Sequence, residues 1–185
     1  MSLIREVIQP ALADLELLFQ AADEAILVRF ASEGVAYDVL IHEVARPPLV
    51  WLRFHPHLYL QPKRDDALIA TALGGNYQRY LVKAGRDPRD GELIFDAEIP
   101  LYAPLTRAAF AAFFIAAVRH VEDMLACLAR VRWAGLQPAE ALGLGARVAS
   151  TLPQEPPPAS AGPQSELERL VAELLEESEP PADQQ

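Results

Sequence analysis

The apolar positions Ile4, Ile8, Leu12, Leu15 and Phe19 recur at steps of three and four, the period of a helix with one buried stripe. Ser2 stands where an N-cap belongs, and Pro10 inside the run predicts a kink, or two short helices meeting there. The period then drops to two. Ala25 to Phe30 reads as a strand closed by the turn Ala31-Ser-Glu-Gly34. From Val35 to Val44, the residues Val35, Tyr37, Val39 and Ile41 alternate with Ala36, Asp38, Leu40 and His42, which predicts a second strand. Pro47-Pro48 breaks this ladder. Leu49 to Phe54 is apolar on both faces apart from Arg53, the pattern of an interior strand.

Helical periodicity returns after Lys63-Arg-Asp-Asp66, where acids sit at the start of a helix as its dipole favours. Its predicted buried stripe is Leu68, Ile69, Ala72 and Leu73, with Gly74-Gly75 as the stop. Tyr77 to Lys83 and Glu92 to Ile99 read as two more strands, joined by the hairpin loop Asp87-Pro-Arg-Asp-Gly91. Proline sets φ in such a loop and glycine supplies the positive φ. Thr106 then caps the longest helix, which runs to about Trp133 before Gly135. Its stripe is Phe110, Phe114, Ala117, Val121, Leu125 and Leu128. Between Ala108 and Val118 it is apolar all round, more than one sheet requires. The expectation is a dimer or packing interface formed by Phe110, Phe113, Phe114, Ile115 and Val118.

Residues 134–150 add at most a short helix after Pro138. Residues 150–164 are rich in Pro, Ala, Ser and Gln, the composition of an extended linker. Ser165-Glu-Leu-Glu168 is a capping box. After it Leu167, Leu170, Val171, Leu174 and Leu175 form a stripe opposite Glu166, Arg169, Glu173, Glu176 and Glu177. This predicts an acidic amphipathic helix over 165–179 that binds a partner or docks on a fold, followed by a disordered tail over 180–185. The organisation expected is one domain over 1–149, the linker, the helix and the tail.

The charge of −10 changes the picture because it is unevenly placed. Residues 151–185 hold eight acids against Arg169 alone, whereas the first 150 hold 18 acids against 15 bases. An acidic balance repels phosphate backbones and anionic lipid and favours basic partners. Direct nucleic-acid and membrane binding are therefore not expected. Cys127 is the single cysteine, which leaves no disulfide framework and no cysteine-based metal site. No signal peptide is apparent and no apolar run is long enough to cross a bilayer, so the expected compartment is the cytoplasm.

Five carboxylates, Asp87, Asp90, Glu92, Asp96 and Glu98, crowd the second hairpin. Leu93, Phe95, Ala97 and Ile99 share one face of its second strand and Glu92, Ile94, Asp96 and Glu98 the other. Arg79 and Lys83 on the partner strand can lie across from those acids, so the cluster reads as a solvated, charge-paired face. The spacing of Asp87, Asp90 and Glu92 does not make a calcium loop. His55-Pro-His57 places two imidazoles at a spacing zinc enzymes use, but zinc takes at least three protein ligands. His42 and Glu43 are the only nearby candidates, so a metal-binding enzyme or sensor at His55 and His57 is the alternative reading. His120 and Asp123 read as a helical surface pair, and Cys127 as a buried thiol. Gly74-Gly75-Asn76 and Gly143-Leu-Gly145 lack the context of a phosphate loop, and there is no Gly-x-Ser-x-Gly elbow. No catalytic residue, cofactor or metal is expected.

The order helix, three strands, helix, hairpin, long helix is an α+β layout with an antiparallel sheet of about five strands. It resembles the YbjN-like family and, more distantly, the class I type III secretion chaperones that share its fold. The residues carrying the resemblance are Leu68-Ile-Ala-Thr-Ala-Leu-Gly-Gly-Asn76, Tyr80-Leu-Val-Lys83, Gly91-Glu-Leu-Ile-Phe-Asp-Ala-Glu-Ile-Pro-Leu101, and Leu105-Thr106 opening a long helix. It spans roughly residues 3–133. The resemblance implies a non-catalytic homodimer that binds a protein client, as a chaperone-like adaptor or regulator. The long Pro-rich linker departs from the chaperone pattern. With the acidic charge, the client expected is a protein with basic surface, a nucleic-acid-binding protein being one such class.

Overall fold

The structure is a computed structural model and describes residues 2–32, 35–78 and 80–144. Arg79, the linker 150–164, the helix 165–179 with Leu167, Leu170, Val171, Leu174 and Leu175, and the tail 180–185 lie outside the described residues.

The chain begins with a π-helical turn, Ile4–Ile8, that runs straight into α1, Gln9–Asp14. Pro10 explains the change of winding. It has no N–H and its ring crowds the carbonyl four residues back, and here the Gln9 amide reaches to the Ile4 carbonyl, the wider step of a π-turn. Ile4, Ile8 and Leu12 are fully buried as the stripe predicted. Phe19 is not part of it. The helix ends at Asp14, Glu16 takes a left-handed φ of 57°, and Phe19 opens a strand.

That strand, β1 (Phe19–Ala21), raises the sheet to six among the described residues. The others are β2 (Ala25–Ser32), β3 (Val35–Ala45), β4 (Pro48–His55), β5 (Lys83–Arg86) and β6 (Leu93–Pro100). Every pairing is antiparallel and the order is β1-β2-β3-β4-β6-β5. β4 is interior, as its two apolar faces require. The predicted strand over Tyr77 to Lys83 is displaced, because Tyr77 and Gln78 lie in a turn and pairing starts at Lys83. Asn76 then bonds the Ala84 peptide from the side away from β6 (Nδ2 to O, 2.9 Å; N to Oδ1, 2.6 Å).

Two longer helices complete the core: α2 (Asp66–Gly75) and α3 (Arg107–Ala134), with a short α4 (Pro138–Ala141) after them. In α2 the buried positions are Leu68, Thr71, Ala72 and Gly75, while Leu73 faces out. Gly74 and Gly75 belong to the helix and do not stop it. The end of the Met124 side chain of α3 fills the space that a Cβ on Gly75 would take. Thr106 Oγ1 accepts the Ala109 amide and Gly135 ends α3 with φ 67°, both as the sequence predicts. The α3 stripe packs on Ile26, Val28, Tyr37, Val39, Leu52, Phe54 and Phe95 from one face of the sheet. Phe30 and Phe114 lie 6.0 Å apart between ring centroids. The Tyr37 hydroxyl donates to Glu122 Oε1 at 3.3 Å, and burial, reinforced by that carboxylate, pushes its ionisation upward.

Candidate functional site

With the helices gathered on one face, the alternation of side chains sends Arg29, Asp38, Leu40, His42, Trp51, Arg53, His55, Ile94 and Asp96 to the other. The register fixes three rows across this outer face. One runs His42, Trp51, Glu98; the next Leu27, Leu40, Arg53, Asp96, Lys83; the third Arg29, Asp38, His55.

The first two rows form one bonded network. Arg53 grips Asp96 with two nitrogens (2.8 and 3.0 Å), and Trp51 Nε1 donates to the same carboxylate at 2.9 Å. The Arg53 guanidinium also lies 4.1 Å from the Trp51 ring centre, a cation–π contact. His42 meets the other side of this system, edge-on to Trp51 at 4.8 Å. Burial, then Arg53, lowers the pKa of the His42 imidazole.

Beside it lies a second cluster. Arg29 binds Asp38 through Nε (2.7 Å) and Nη2 (3.1 Å), and that guanidinium holds the Asp38 carboxyl below its usual range. His57 Nε2 is 3.4 Å from Asp38 Oδ2, and His57 Nδ1 is 3.5 Å from Glu92 Oε1. His55 Nδ1 and Glu92 Oε2 are 3.1 Å apart. His57 has a left-handed φ of 53°, uncommon for a residue with a side chain. It sits where the chain leaves β4 and returns to pair beside β6: Leu60 N bonds Gly91 O and Leu93 N bonds Leu58 O.

The five clustered carboxylates are therefore not uniformly solvated. Glu98 and Asp90 are exposed, but Asp87 and Glu92 are buried. Asp87 accepts the Arg89 amide and guanidinium, which hold its carboxyl down at about 2. Lys83 stands opposite Asp96 in the ladder as expected, although Arg53 makes the short bonds to Asp96. His55 and His57 do meet, around Glu92 and Asp38, while His42 lies with Trp51 and Glu43 is exposed. Among the described residues no group of three or more His, Cys, Asp or Glu side chains is arranged to hold a metal ion.

The residues predicted at an interface divide between two settings. Phe110 and Phe114 are buried in the core, Phe113 and Val118 pack against its margin, and Ile115 is 38% exposed. Phe114, Ile115 and Val118 line a groove with Leu15, Leu17 and Phe30. Cys127 is buried, as expected. Among the described residues no helix is long and apolar enough to cross a membrane.

These features define an α+β protein whose antiparallel sheet carries its helices on one face and a polar, aromatic network on the other. No known family's sequence profile matches the chain, and no curated protein matches it. Among solved structures it is similar to YbjN from E. coli, described as a candidate transcription regulator. The TM-score is 0.50 at 16% identity, over 70% of this chain and 92% of that one. The fold is YbjN-like.

Proposed function

We propose that this protein is a non-catalytic, protein-binding adaptor or chaperone-like regulator that works in the cytoplasm as a homodimer on a protein client with basic surface. The observation that carries the reading is the outer-face network. Arg29, Arg53, His55 and His57 meet Asp38, Glu92 and Asp96, and Trp51 is held between Arg53, Asp96 and His42. Side chains so tied hold a surface in one shape, which suits recognition more than proton transfer. Tryptophan and arginine are also the residues that most often anchor protein interfaces. The net charge of −10 supports a basic client over nucleic acid or membrane. The likeness to YbjN supports a regulatory setting, in which the client is a nucleic-acid-binding protein.

The test compares affinity capture from native lysate with full-length bait and with Trp51→Ala bait of equal melting temperature. The reading expects a reproducible protein partner that Trp51→Ala weakens, and light scattering of a dimer at micromolar concentration. Absence of any reproducible partner would remove the adaptor reading; a monomer would remove the homodimer.

A further inference from the structure

We propose that Glu92 and Asp38, with His57 lying between them, form the site that receives an arginine side chain of the basic client. His57 reaches toward both acids and holds neither closely: Nε2 is 3.4 Å from Asp38 Oδ2 and Nδ1 is 3.5 Å from Glu92 Oε1. The Glu92 side chain is 9% exposed, and its Oε1 has no hydrogen-bond partner among the described residues. A buried carboxylate oxygen in that state is costly unless a donor reaches it.

The charges around the site point to a cation. Arg29 is matched to Asp38 and Arg53 to Asp96, whereas the side chains that meet Glu92 are the two imidazoles. A neutral imidazole donates through one ring nitrogen only, so His57 as a neutral ring serves one of its two acids and not both. A guanidinium stays charged and donates through several N–H groups in one plane. Two of its nitrogens are spaced much like the two of an imidazole, so it can span the positions His57 now holds and bond both carboxylates. A lysine ammonium is a point charge and spans them less well.

The way in is through His57 itself. Its side chain is 51% exposed, and it lies beyond the end of β4, so the imidazole can swing out as a guanidinium enters. Its left-handed φ of 53° is one that glycine adopts without strain. Trp51, Arg53 and His55 alternate onto the same outer face of β4. An arginine seated on Glu92 therefore lies beside the surface assigned to the client.

This inference rests on the basic-client reading and names where that client is gripped. Full-length protein is titrated with a blocked glycine peptide carrying one arginine, with the same peptide carrying lysine instead, and with free L-arginine. Carbon-detected NMR of the Glu92 and Asp38 carboxyls reports binding at the site itself. The arginine peptide should shift both carboxyls saturably and bind about tenfold tighter than the lysine peptide, the ratio of one charge-assisted hydrogen bond. Free arginine, whose own carboxylate meets the same acids, should bind more weakly than the peptide. His57→Gly should tighten binding of the arginine peptide, because the competing ring is gone, and folded Glu92→Gln should lose it. Absence of a saturable shift, equal affinity for arginine and lysine, or equal or tighter binding of free arginine overturns the proposal. So does unchanged or weaker binding by His57→Gly, or unchanged binding by folded Glu92→Gln. Such a failure leaves the Trp51-dependent capture standing, whereas a failed capture removes the adaptor reading and leaves the guanidinium shifts in place.

Discussion

The Asn76 carboxamide and the Ala84 peptide exchange two hydrogen bonds, so that one side chain stands in for a neighbouring strand at the outer edge of β5. Nδ2 donates to the Ala84 carbonyl at 2.9 Å and the Ala84 amide donates to Oδ1 at 2.6 Å. β5 ends the sheet, and an open edge is a template for unwanted pairing. The same residue follows the last turn of α2, so it also ties the helix to the sheet.

Asn76→Ala removes both bonds and leaves a partly buried peptide without partners. At about 1 kcal/mol for each bond, it should lower stability by about 2 kcal/mol, read as a shift in the urea midpoint at unchanged slope. Asn76→Asp should cost a similar amount, because a carboxylate would face the Ala84 carbonyl. Wild-type stability in both variants would show that the side chain does not hold the edge.

Glu92 is a buried acid whose Oε2 meets His55 Nδ1 at 3.1 Å, while its Oε1, 3.5 Å from His57 Nδ1, has no hydrogen-bond partner among the described residues. Glu92→Ala should destabilise the fold by about 1–3 kcal/mol, the cost of leaving polar groups without partners. It should also loosen the pairing of residues 58–60 with 91–93, seen as faster amide exchange at Leu60 and Leu93. Protein purified without a histidine tag should carry no stoichiometric zinc. One zinc per chain, lost on changing His55 and His57 to Ala, would instead make this cluster a metal site.

Asp87 gives the hairpin loop a defined acid response. The Arg89 side chain and amide lower its carboxyl from 3.8 to about 2. A depressed carboxyl pKa stabilises the fold above the unfolded value, and the contribution is lost as pH falls through the folded one. The stability difference between wild type and Asp87→Asn should therefore be constant at neutral pH and shrink between 3.8 and about 2. In carbon-detected NMR the Asp87 midpoint should rise toward 3.8 in Arg89→Ala. A midpoint already at 3.8 with Arg89 present would exclude the pairing.

Much of this architecture is written locally in the chain. Alternation from Tyr37 to Ile41 and from Leu93 to Ala97 sorts residues correctly between core and outer face, and Thr106 and Gly135 bound α3 as capping chemistry requires. The meeting of Asp38 with His55 was also within reach. Pairing of Ala45 with Pro48 across the turn of Arg46 and Pro47 fixes the hairpin register, and that register sets Asp38 opposite His55. Glu92 was not within reach, because it arrives through the return of residues 58–60 along β6, a contact between distant segments that no local period records. Phe19 departs from its expected helix for a similar reason. Its spacing continues the helical stripe, but pairing with Val28 places it in β1.

Phe114 and Ile115 are adjacent in α3, yet the structure gives them opposite duties. Phe114 is 1% exposed, against Phe30 and Phe110, whereas Ile115 is 38% exposed at the groove of Leu15 and Leu17. Phe114→Ala should cost about 3–5 kcal/mol, the range for deleting a buried aromatic, and should show as a large drop in melting temperature. Ile115→Asp changes a side chain already partly in water, so the fold should survive it nearly intact. If this flank of α3 is where two copies meet, the same substitution should convert the dimer to a monomer in light scattering, because a carboxylate buried at an apolar contact is left unpaired. A dimer unaffected by Ile115→Asp would place the contact elsewhere and assign Phe113, Ile115 and Val118 to the margin of the core alone.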